Sequence, residues 1–209
     1  METAVAGMTG YAPSLAVQQA PTPPRTSIAN REKAKYDAVW QFHEYQEESP
    51  GKRHVDLFWS IAKPKQGASL IDIGAGAGAA SRILKDRGLS VRAFDLSDVA
   101  WTHTDIPLQV GTIWKNPNFT PPADYAYCCD VMEHIPTEFT ALSVQKILQA
   151  CGHAFFSISF VPDVMGALVG EPLHLTVKPF MWWVDLLREC GSLHEARDMI
   201  GEGVFYVGA

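Results

Sequence analysis

An apolar strand that runs straight into a glycine loop constrains the fold of this 209-residue chain more than any other feature. Residues 69–73 (SLIDI) have the length and apolar character of a buried strand, and residues 74–78 (GAGAG) follow without a break. Residues 79–86 carry helix formers and end just before Arg87-Gly88, where glycine is a common C-terminal cap. A strand, a glycine loop and a helix in this order are typical of doubly wound α/β folds, in which the loop lets a ligand approach the backbone closely.

The segments after this unit continue to alternate between strand and helix patterns. The predicted strands are 90–95, 108–113, 125–130 and 153–160, with a closing pair over 194–200 and 203–208, and the predicted helices are 137–150 and 179–190. This alternation predicts a Rossmann-like three-layer α/β sandwich around a mostly parallel seven-stranded sheet with an antiparallel closing strand. Ligands of such sheets bind at the carboxyl ends of the strands.

The residues before the glycine loop have two different characters. Residues 1–29 are rich in Ala, Pro, Thr, Gln and Ser and show no periodicity, which predicts a disordered tail. Residues 30–47 and 52–63 have apolar positions at three- and four-residue spacing, which predicts two helices. We therefore expect one folded domain over residues 30–209, made of a helical cap (30–66) and an α/β core (67–209).

Composition argues against several classes of function. The formal net charge of −6 and the pI near 5.6 provide no electrostatic footprint for nucleic acid. No apolar run reaches the roughly 20 residues of a membrane helix, and the N-terminus lacks the basic start and apolar stretch of a signal peptide. The four cysteines have no zinc-site spacing, and the other metal-ligating residue types look scattered. We expect a cytoplasmic protein with reduced thiols, no membrane partner and no metal.

Two acidic residues help to identify the nucleotide that the loop binds. The loop by itself also satisfies the G-x-G-x-x-[GA] pattern of nicotinamide- and flavin-binding proteins. Asp72 stands two residues before the first glycine, where its charge would repel a pyrophosphate but suits a ligand with an ammonium and a sulfonium group. Asp95 follows the loop by about 20 residues, the usual distance for an acid that binds both ribose hydroxyls. Asp95 therefore indicates a nucleoside without deciding which one.

A third segment makes the pattern specific. Residues 128–136 (CCDVMEHIP) end the fourth predicted strand and continue beyond it. Together with DIGAGAG at 72–78 and Asp95, the sequence DVMEHIP at 130–136 resembles the first, second and fourth motifs of class I S-adenosylmethionine-dependent methyltransferases. It resembles in particular the branch with D-V-x-E-H after strand four, which is rich in small-molecule enzymes. The resemblance covers about residues 68–160, and EPLHLT at 171–176 with the Trp-rich helix after it is also similar to that branch.

The resemblance implies a methyltransferase domain with S-adenosylmethionine as the methyl donor. It places the glycine loop along the methionine part of the donor, Asp95 with the adjacent Leu96 at the ribose, and Thr112 beside the adenine. Asp72 would contact the loop or, through water, the amino group. Thr112 departs from the family pattern, which often has an acidic residue at this position. The implied cofactor-binding residues are Asp72, Gly74, Ala75, Gly76, Gly78, Asp95, Leu96, Thr112 and Asp130.

The candidate catalytic residues follow the fourth and fifth predicted strands. Methyl transfer is an in-line displacement that needs a base only when the acceptor must lose a proton. An unperturbed histidine titrates near neutral pH, so His134 and His174 are candidates for that base, together with Glu133. The alternative for each histidine is a role limited to capping or packing its loop.

Sequence motifs favour a small molecule as the methyl acceptor. Enzymes that methylate amino groups of nucleic-acid bases resemble [DNS]-P-P-[YFW] after strand four, and cytosine C5 chemistry uses a Pro-Cys nucleophile; the chain has neither. A protein side chain is the weaker alternative. Helical spacing favours the core for most of the aromatic residues that could otherwise line an acceptor pocket, although one of the adjacent Trp182 and Trp183 is free to face it. These residues are Tyr36, Trp40, Tyr45, Trp182 and Trp183.

Two other functions stay open at this point. A catalytically inactive module of the same fold would keep the glycine loop and bind a ligand or a partner without turnover. An NAD(P)- or flavin-dependent oxidoreductase would share Asp95, but Asp72 and the Glu133-His134 pair count against it.

Overall fold

One mixed sheet runs through the part of the chain that the computed structural model describes, residues 27–47, 49–115 and 117–209. Its strands are β1 (Ser69–Ile73), β2 (Ser90–Asp95), β3 (Leu108–Val110), β4 (Ala123–Cys129), β5 (Cys151–Ser159), β6 (Ser192–Met199) and β7 (Glu202–Gly208). They lie in the order β3-β2-β1-β4-β5-β7-β6. Strands β1 to β5 pair in parallel, whereas β7 is antiparallel to both of its neighbours. The predicted Rossmann-like sheet with an antiparallel closing strand is therefore confirmed.

Helices cover both faces of the sheet. They are α1 (Ile28–Val39), α2 (His43–Glu47), α3 (Gly51–Ala62), α4 (Ala79–Asp86), α5 (Thr140–Gln149) and α6 (Phe180–Cys190). On one face α3 packs against α4, and Phe58 of α3 is fully buried against Tyr127 and Phe155. Burial of a phenylalanine side chain contributes about 1.5–3 kcal/mol, which holds α3 on the sheet. Helix α3, predicted as part of a cap, thus forms an outer layer of the core.

The opposite face of the sheet is covered by α5 and α6, which pack against each other. Val144 of α5 and Trp183 of α6 are fully buried there, in the same cluster as Phe156 of β5. Because successive residues of a strand point to opposite faces, Phe155 and Phe156 serve the two different layers. The three layers leave the carboxyl ends of the parallel strands free for a site.

The predicted helix over residues 30–47 is interrupted after α1. Backbone hydrogen bonds shorten to three-residue spacing at Gln41 and Phe42. The ring of Trp40 packs edge-on against Tyr45 at a centroid distance of 4.6 Å, and the side-chain amide of Gln46 donates to the Trp40 carbonyl at 2.7 Å. These contacts, together with the packing of the Trp40 ring over Gly76, override the helical propensity of the segment, so the single-helix prediction was wrong.

The third and fourth predicted strands end earlier than expected. The third stops at Val110, because the chain turns inward after it and buries Ile113 and Trp114. The fourth ends at Cys129, since Asp130 adopts a left-handed conformation with φ of 60° that a strand cannot contain.

The predicted disordered tail falls almost entirely on residues 1–26, which lie outside the described residues. Helix α1 begins at Ile28, two residues before the predicted domain boundary, and the side chain of Ser27 caps it by accepting from the Asn30 N–H. Within the ranges that the structure describes, none of the helices has the length and apolarity needed to cross a membrane.

Candidate functional site

A cavity of about 520 Å³ lies at the carboxyl ends of the parallel strands. Its walls come from the glycine loop after β1, from Asp95 at the end of β2, and from the segments that follow β3, β4 and β5. Residues of α1 and α2 contribute the remaining wall. The site has two parts: the glycine-loop side (Gly74–Gly78 with Asp95) and the histidine side (Asp130, Glu133, His134 and His174). Glu133 is buried behind the histidine side and does not itself line the cavity.

Two glycine positions of the loop, Gly74 and Gly76, have no room for a side chain. Gly74 has a φ of 70°, and a Cβ added there would lie 2.2 Å from Cγ2 of Val131. Gly76 has a φ of 55°, and its Cβ would lie 2.8 Å from the ring of Trp40. Left-handed backbone and close neighbours together require glycine at both positions.

Asp95 ties the second strand to the glycine loop. Its Oδ2 accepts a hydrogen bond from the Gly76 N–H at 2.8 Å, and its Oδ1 accepts one from the Ser97 N–H at 2.8 Å. Burial raises the pKa of this carboxyl, although the backbone donors oppose the shift. A carboxylate offers about four lone pairs, so both oxygens still have acceptor capacity for a ligand.

Asp72 contacts helix α4 instead of the glycine loop. Its Oδ2 accepts a hydrogen bond from the Ser81 hydroxyl at 2.5 Å. The side chain is buried and forms part of the cavity wall. Burial raises the pKa of Asp72 to about 7, while the Ser81 bond acts in the opposite direction. The hydrogen bond of the Asp72 side chain is therefore with Ser81 of α4 and not with the glycine loop, as was expected.

The other predicted cofactor residues divide into two groups. Ala75, Leu96, Thr112 and Asp130 line the cavity. Gly78 does not line it, and a Cβ at this position would instead meet His103 on the outer side of the loop, 2.4 Å away.

The histidine side begins at Asp130, directly after β4. A 3₁₀ turn over Met132–His134 returns the chain, so that Nε2 of His134 lies 3.8 Å from Oδ2 of Asp130. Glu133 is fully buried, and its Oε1 accepts from the Ser159 N–H at 2.6 Å. Its Oε2 is also buried and has no hydrogen-bond partner among the described residues.

His134 is held by groups from two distant segments. Its Nδ1 lies 3.1 Å from the carbonyl oxygen of Leu173 and 2.6 Å from the hydroxyl of Tyr36 in α1. Because a carbonyl oxygen can only accept, we assign the proton of the neutral ring to Nδ1, which leaves the lone pair on Nε2. Sequence reasoning missed the contact with Tyr36, since nothing in the pattern of α1 indicates it.

His174 reaches the same place from the segment after β5. The carboxylate of Asp163 accepts from the backbone N–H groups of Leu173 at 2.8 Å and His174 at 3.0 Å, which fixes the loop. Nδ1 of His174 lies 2.6 Å from the Val161 carbonyl, so its lone pair is also on Nε2. The two imidazole rings meet edge to face at 4.6 Å. No pattern in the sequence indicates the role of Asp163.

The four groups of the histidine side alter one another's pKa values. Burial, followed by the charge of Asp130, raises the pKa of Glu133 to about 8. Burial lowers the pKa of His174, and the neighbouring His134 lowers it further. Burial acts against charge on His134 too, but Asp130 and Glu133 outweigh it and the pKa rises. The pKa of Asp130 falls because His134 outweighs the effect of burial.

Three of the predicted aromatic residues line the cavity. Tyr36 lines it from α1, Tyr45 from α2, and Trp40 from the turn between them. Trp40 is also buried, as the core interpretation predicts, whereas Tyr36 and Tyr45 are only partly buried, so that interpretation was wrong for these two. Trp183 is fully buried in the core, and Trp182 packs partly exposed against that core, away from the cavity. The expectation that one of this pair faces the pocket was therefore also wrong.

The metal-ligating residue types on the histidine side are not scattered in the fold. One ligand atom from each of its four residues lies within 4.8 Å of all the others. The sequence separates His174 from Asp130 by a whole helix and strand, which is why the convergence was not expected.

Comparisons with known proteins agree with the fold. Residues 18–200 match the family model described as a methyltransferase domain. No curated protein sequence matches the chain significantly.

Solved structures of methyltransferases superpose on the chain at low sequence identity. The N-methyltransferase NodS from Bradyrhizobium japonicum WM9, in complex with S-adenosyl-L-homocysteine, has a TM-score of 0.61 and 14% identity, over 85% of this chain and 97% of NodS. A TehB-like SAM-dependent methyltransferase from Corynebacterium glutamicum has a TM-score of 0.59 and 16% identity, over 85% and 98%. Phosphoethanolamine N-methyltransferase 2 from Haemonchus contortus, in complex with S-adenosyl-L-methionine, has a TM-score of 0.60 and 20% identity, over 80% and 43%.

The family match spans most of the 209 residues, and the order of the strands agrees with the predicted fold. The predictions of a class I enzyme and of S-adenosylmethionine as its cofactor are confirmed. The chain belongs to the methyltransferase domain family and is an S-adenosylmethionine-dependent methyltransferase.

Proposed function

We propose that this enzyme transfers the methyl group of S-adenosylmethionine to a small-molecule acceptor inside the 520 Å³ cavity. One observation carries the proposal: the glycine-loop side and the histidine side line the same cavity. A donor on the first would present its methyl group to an acceptor on the second. The volume lies in the range of small-molecule sites, and the acidic net charge of −6 disfavours a nucleic-acid acceptor.

The donor would lie along the loop from Gly74 to Gly76, with its ribose hydroxyls on Asp95. Two observations support this position of the donor: Gly74 and Gly76 leave the backbone of the loop open to a ligand, and both Asp95 oxygens can accept further hydrogen bonds. Thr112, beside Ile113 and Trp114 on the cavity wall, would flank the adenine. The buried carboxyl of Asp72 lies beneath the loop and favours a cationic donor when it is ionised.

Glu133, His134 and His174 would receive the acceptor and deal with its proton. Both imidazoles are oriented by backbone carbonyls, so each directs Nε2 away from its anchor. The edge-to-face contact of the two rings and the 3.8 Å approach of His134 to Asp130 place these groups together. Tyr36 would act as a positioning residue, because its hydroxyl contacts His134 Nδ1.

A cytoplasmic location is part of the proposal. It is supported by four free cysteines, of which Cys128, Cys129 and Cys151 are buried, since proteins of reducing compartments keep such thiols unpaired.

Calorimetric titration of the purified chain with S-adenosylmethionine, S-adenosylhomocysteine and NAD tests the donor half of the proposal. We expect micromolar binding of the two adenosyl compounds, no binding of NAD, and loss of adenosyl binding in Asp95→Ala. The matched control is Asp198→Ala on the exposed surface of β6, which should bind as the unchanged protein does. Absence of adenosyl binding to the unchanged protein would overturn the proposal.

Turnover tests the acceptor half. Incubation with methyl-labelled donor and a panel of small amines, alcohols and phenols should transfer label to at least one compound. Tight donor binding together with label only on proteins, or on nothing in a broad panel, would instead favour a protein acceptor or an inactive binding module.

A further inference from the structure

We infer that the four residues of the histidine side form a binding site for a divalent transition-metal ion. Asp130, Glu133, His134 and His174 each offer one ligand atom, and these four atoms all lie within 4.8 Å of one another. Metal–ligand bonds of about 2.0–2.2 Å put opposite ligands about 4.0–4.4 Å apart. The side chains would therefore close around an ion with movements below about 1 Å.

The surroundings of the two histidines are those of metal ligands. A metal-binding imidazole nearly always donates its other ring N–H to a carbonyl or a carboxylate, which orients the ring. Nδ1 of His134 lies 3.1 Å from the Leu173 carbonyl oxygen and 2.6 Å from the Tyr36 hydroxyl, and Nδ1 of His174 lies 2.6 Å from the Val161 carbonyl oxygen. Two rings from separate segments thus show the same anchoring, and both lone pairs lie on Nε2.

Glu133 supplies an independent observation. Its side chain is fully buried, Oε1 is used by the Ser159 N–H, and Oε2 has no partner among the described residues. A buried carboxyl oxygen without a partner costs free energy, whereas coordination of a cation by the ionised carboxylate would satisfy it. Asp130 adds a second carboxylate and holds a left-handed φ of 60°, a conformation that is costly for a non-glycine residue and is often kept at functional sites.

The ligand set indicates which ions fit. Two carboxylates and two neutral imidazoles balance the charge of a divalent cation. Imidazole ligands suit Zn²⁺ and other late first-row metals, carboxylates suit Mg²⁺, Ca²⁺ and Mn²⁺, and a mixed set favours Mn²⁺ or Zn²⁺ over the purely oxygen-preferring ions. The inference therefore departs from the expectation of a metal-free protein and names the class of ion that the site would bind.

The inference rests on the proposed function for what the ion would do. An acceptor hydroxyl coordinated to the ion would lose its proton to water more readily, because the cation lowers its pKa. The resulting oxygen would attack the donor methyl carbon while the carbon–sulfur bond breaks and S-adenosylhomocysteine leaves. The imidazoles would then act on the acceptor through the ion, as ligands, and an oxygen acceptor would be favoured over an amine.

Direct metal binding tests the site without any acceptor. The full chain, treated with a chelator and dialysed, is titrated with Mn²⁺ and followed both by calorimetry and by the loss of the free Mn²⁺ signal in electron paramagnetic resonance. We expect one ion per chain with a micromolar dissociation constant, at least tenfold weaker binding in His174→Ala and in Glu133→Gln, and weaker binding of Ca²⁺ than of Mn²⁺. The matched control is His153→Ala on β5, whose ring stacks on Tyr206 away from the cavity and which should bind Mn²⁺ normally.

Binding of S-adenosylhomocysteine, measured on the same preparations, separates the possible failures. A variant that keeps its affinity for S-adenosylhomocysteine is folded, so a loss of Mn²⁺ binding in it reports on the ligand set. If the unchanged protein binds S-adenosylhomocysteine but no Mn²⁺ or Zn²⁺, the metal site is refuted and the methyltransferase proposal stands. Mn²⁺ binding that His174→Ala and Glu133→Gln leave intact would also refute it. If neither ligand binds, both proposals fail.

Discussion

The two sides of the cavity are built in different ways. On the glycine-loop side, the main contact joins Asp95 to the Gly76 N–H, 19 residues apart, and the loop itself is one contiguous unit between β1 and α4. On the histidine side, His134 contacts Tyr36 across 98 positions and Leu173 across 39. The first side is shaped by backbone and by missing side chains, whereas the second is assembled from polar side chains of two separate segments and is contacted by Tyr36 from a third.

This difference sets what each side tolerates. The glycine-loop side should fail when volume is added, because its backbone conformation and its neighbours leave no space for a Cβ. The histidine side should fail by degrees when a hydrogen-bonding atom is removed, because its groups support one another. Three substitutions test this contrast in order of decreasing effect.

Gly74→Ala should have the largest effect. The added Cβ would lie 2.2 Å from the Val131 side chain, so the loop must move out of its ligand-binding shape. We expect S-adenosylmethionine affinity to fall at least about 100-fold by calorimetry, equivalent to about 2.7 kcal/mol.

The control for Gly74→Ala is Gly67→Ala. Gly67 has a φ of 78°, close to the 70° of Gly74, but an added Cβ would have nothing within 4 Å. Both variants should lose about 1–2 kcal/mol of unfolding free energy for the left-handed residue. Only Gly74→Ala should lose the ligand, and equal losses of affinity would contradict the role of crowding.

Tyr36→Phe should have an intermediate effect, confined to the histidine side. Loss of the hydroxyl 2.6 Å from His134 Nδ1 removes one of the two groups that orient the ring. A hydrogen bond to a group that can carry charge contributes about 1.5 kcal/mol, so kcat with the acceptor found in the screen should fall about tenfold.

The donor affinity of Tyr36→Phe should stay within about twofold of the unchanged value, because Asp95 and the glycine loop keep their contacts. Tyr206→Phe on β7 removes a tyrosine hydroxyl outside the cavity and serves as the comparison. If Tyr36→Phe weakened donor binding as strongly as turnover, the two sides would not be separable.

Asp72→Asn should have the smallest effect on ligand binding, and its effect on stability changes in size with pH. The folded protein raises the pKa of Asp72 from 3.8 to about 7, mainly through burial, so the folded state binds the extra proton between these values. The contribution of Asp72 to the free energy of unfolding therefore decreases as pH rises from about 4 to 7. The asparagine variant lacks this cost and should be more stable by about 1–3 kcal/mol at pH 8, with the difference shrinking toward pH 4.

Urea denaturation across this pH range measures the effect. Ser81→Ala removes the hydroxyl that donates to Asp72 at 2.5 Å and should increase the pH dependence. A constant difference between Asp72→Asn and the unchanged protein at every pH would show that the carboxyl does not titrate as described.

The contrast between the two sides also explains what the sequence could predict. Local rules suffice for the β1–loop–α4 unit and for Asp95, because strand length, glycine spacing and the distance to the acid all act over about 20 residues. The convergence of His174 on Asp130 depends on how the chain returns after β5, held by Asp163, and no local pattern encodes that path. The break after α1 was missed for the same reason, since the packing of Trp40 over Gly76 decides it.

The position of β7 has a consequence for how this enzyme is made. Strand β7 follows β6 in the chain but lies between β5 and β6 in the sheet. As the ribosome adds residues in order, the edge of β5 stays unpaired until residues 202–208 have emerged, although Phe155 and Phe156 already make that strand apolar. An exposed apolar edge of this kind invites aggregation. We therefore expect this half of the sheet to assemble only after residues 202–208 have left the ribosome, and chaperones that bind nascent chains to protect it until then.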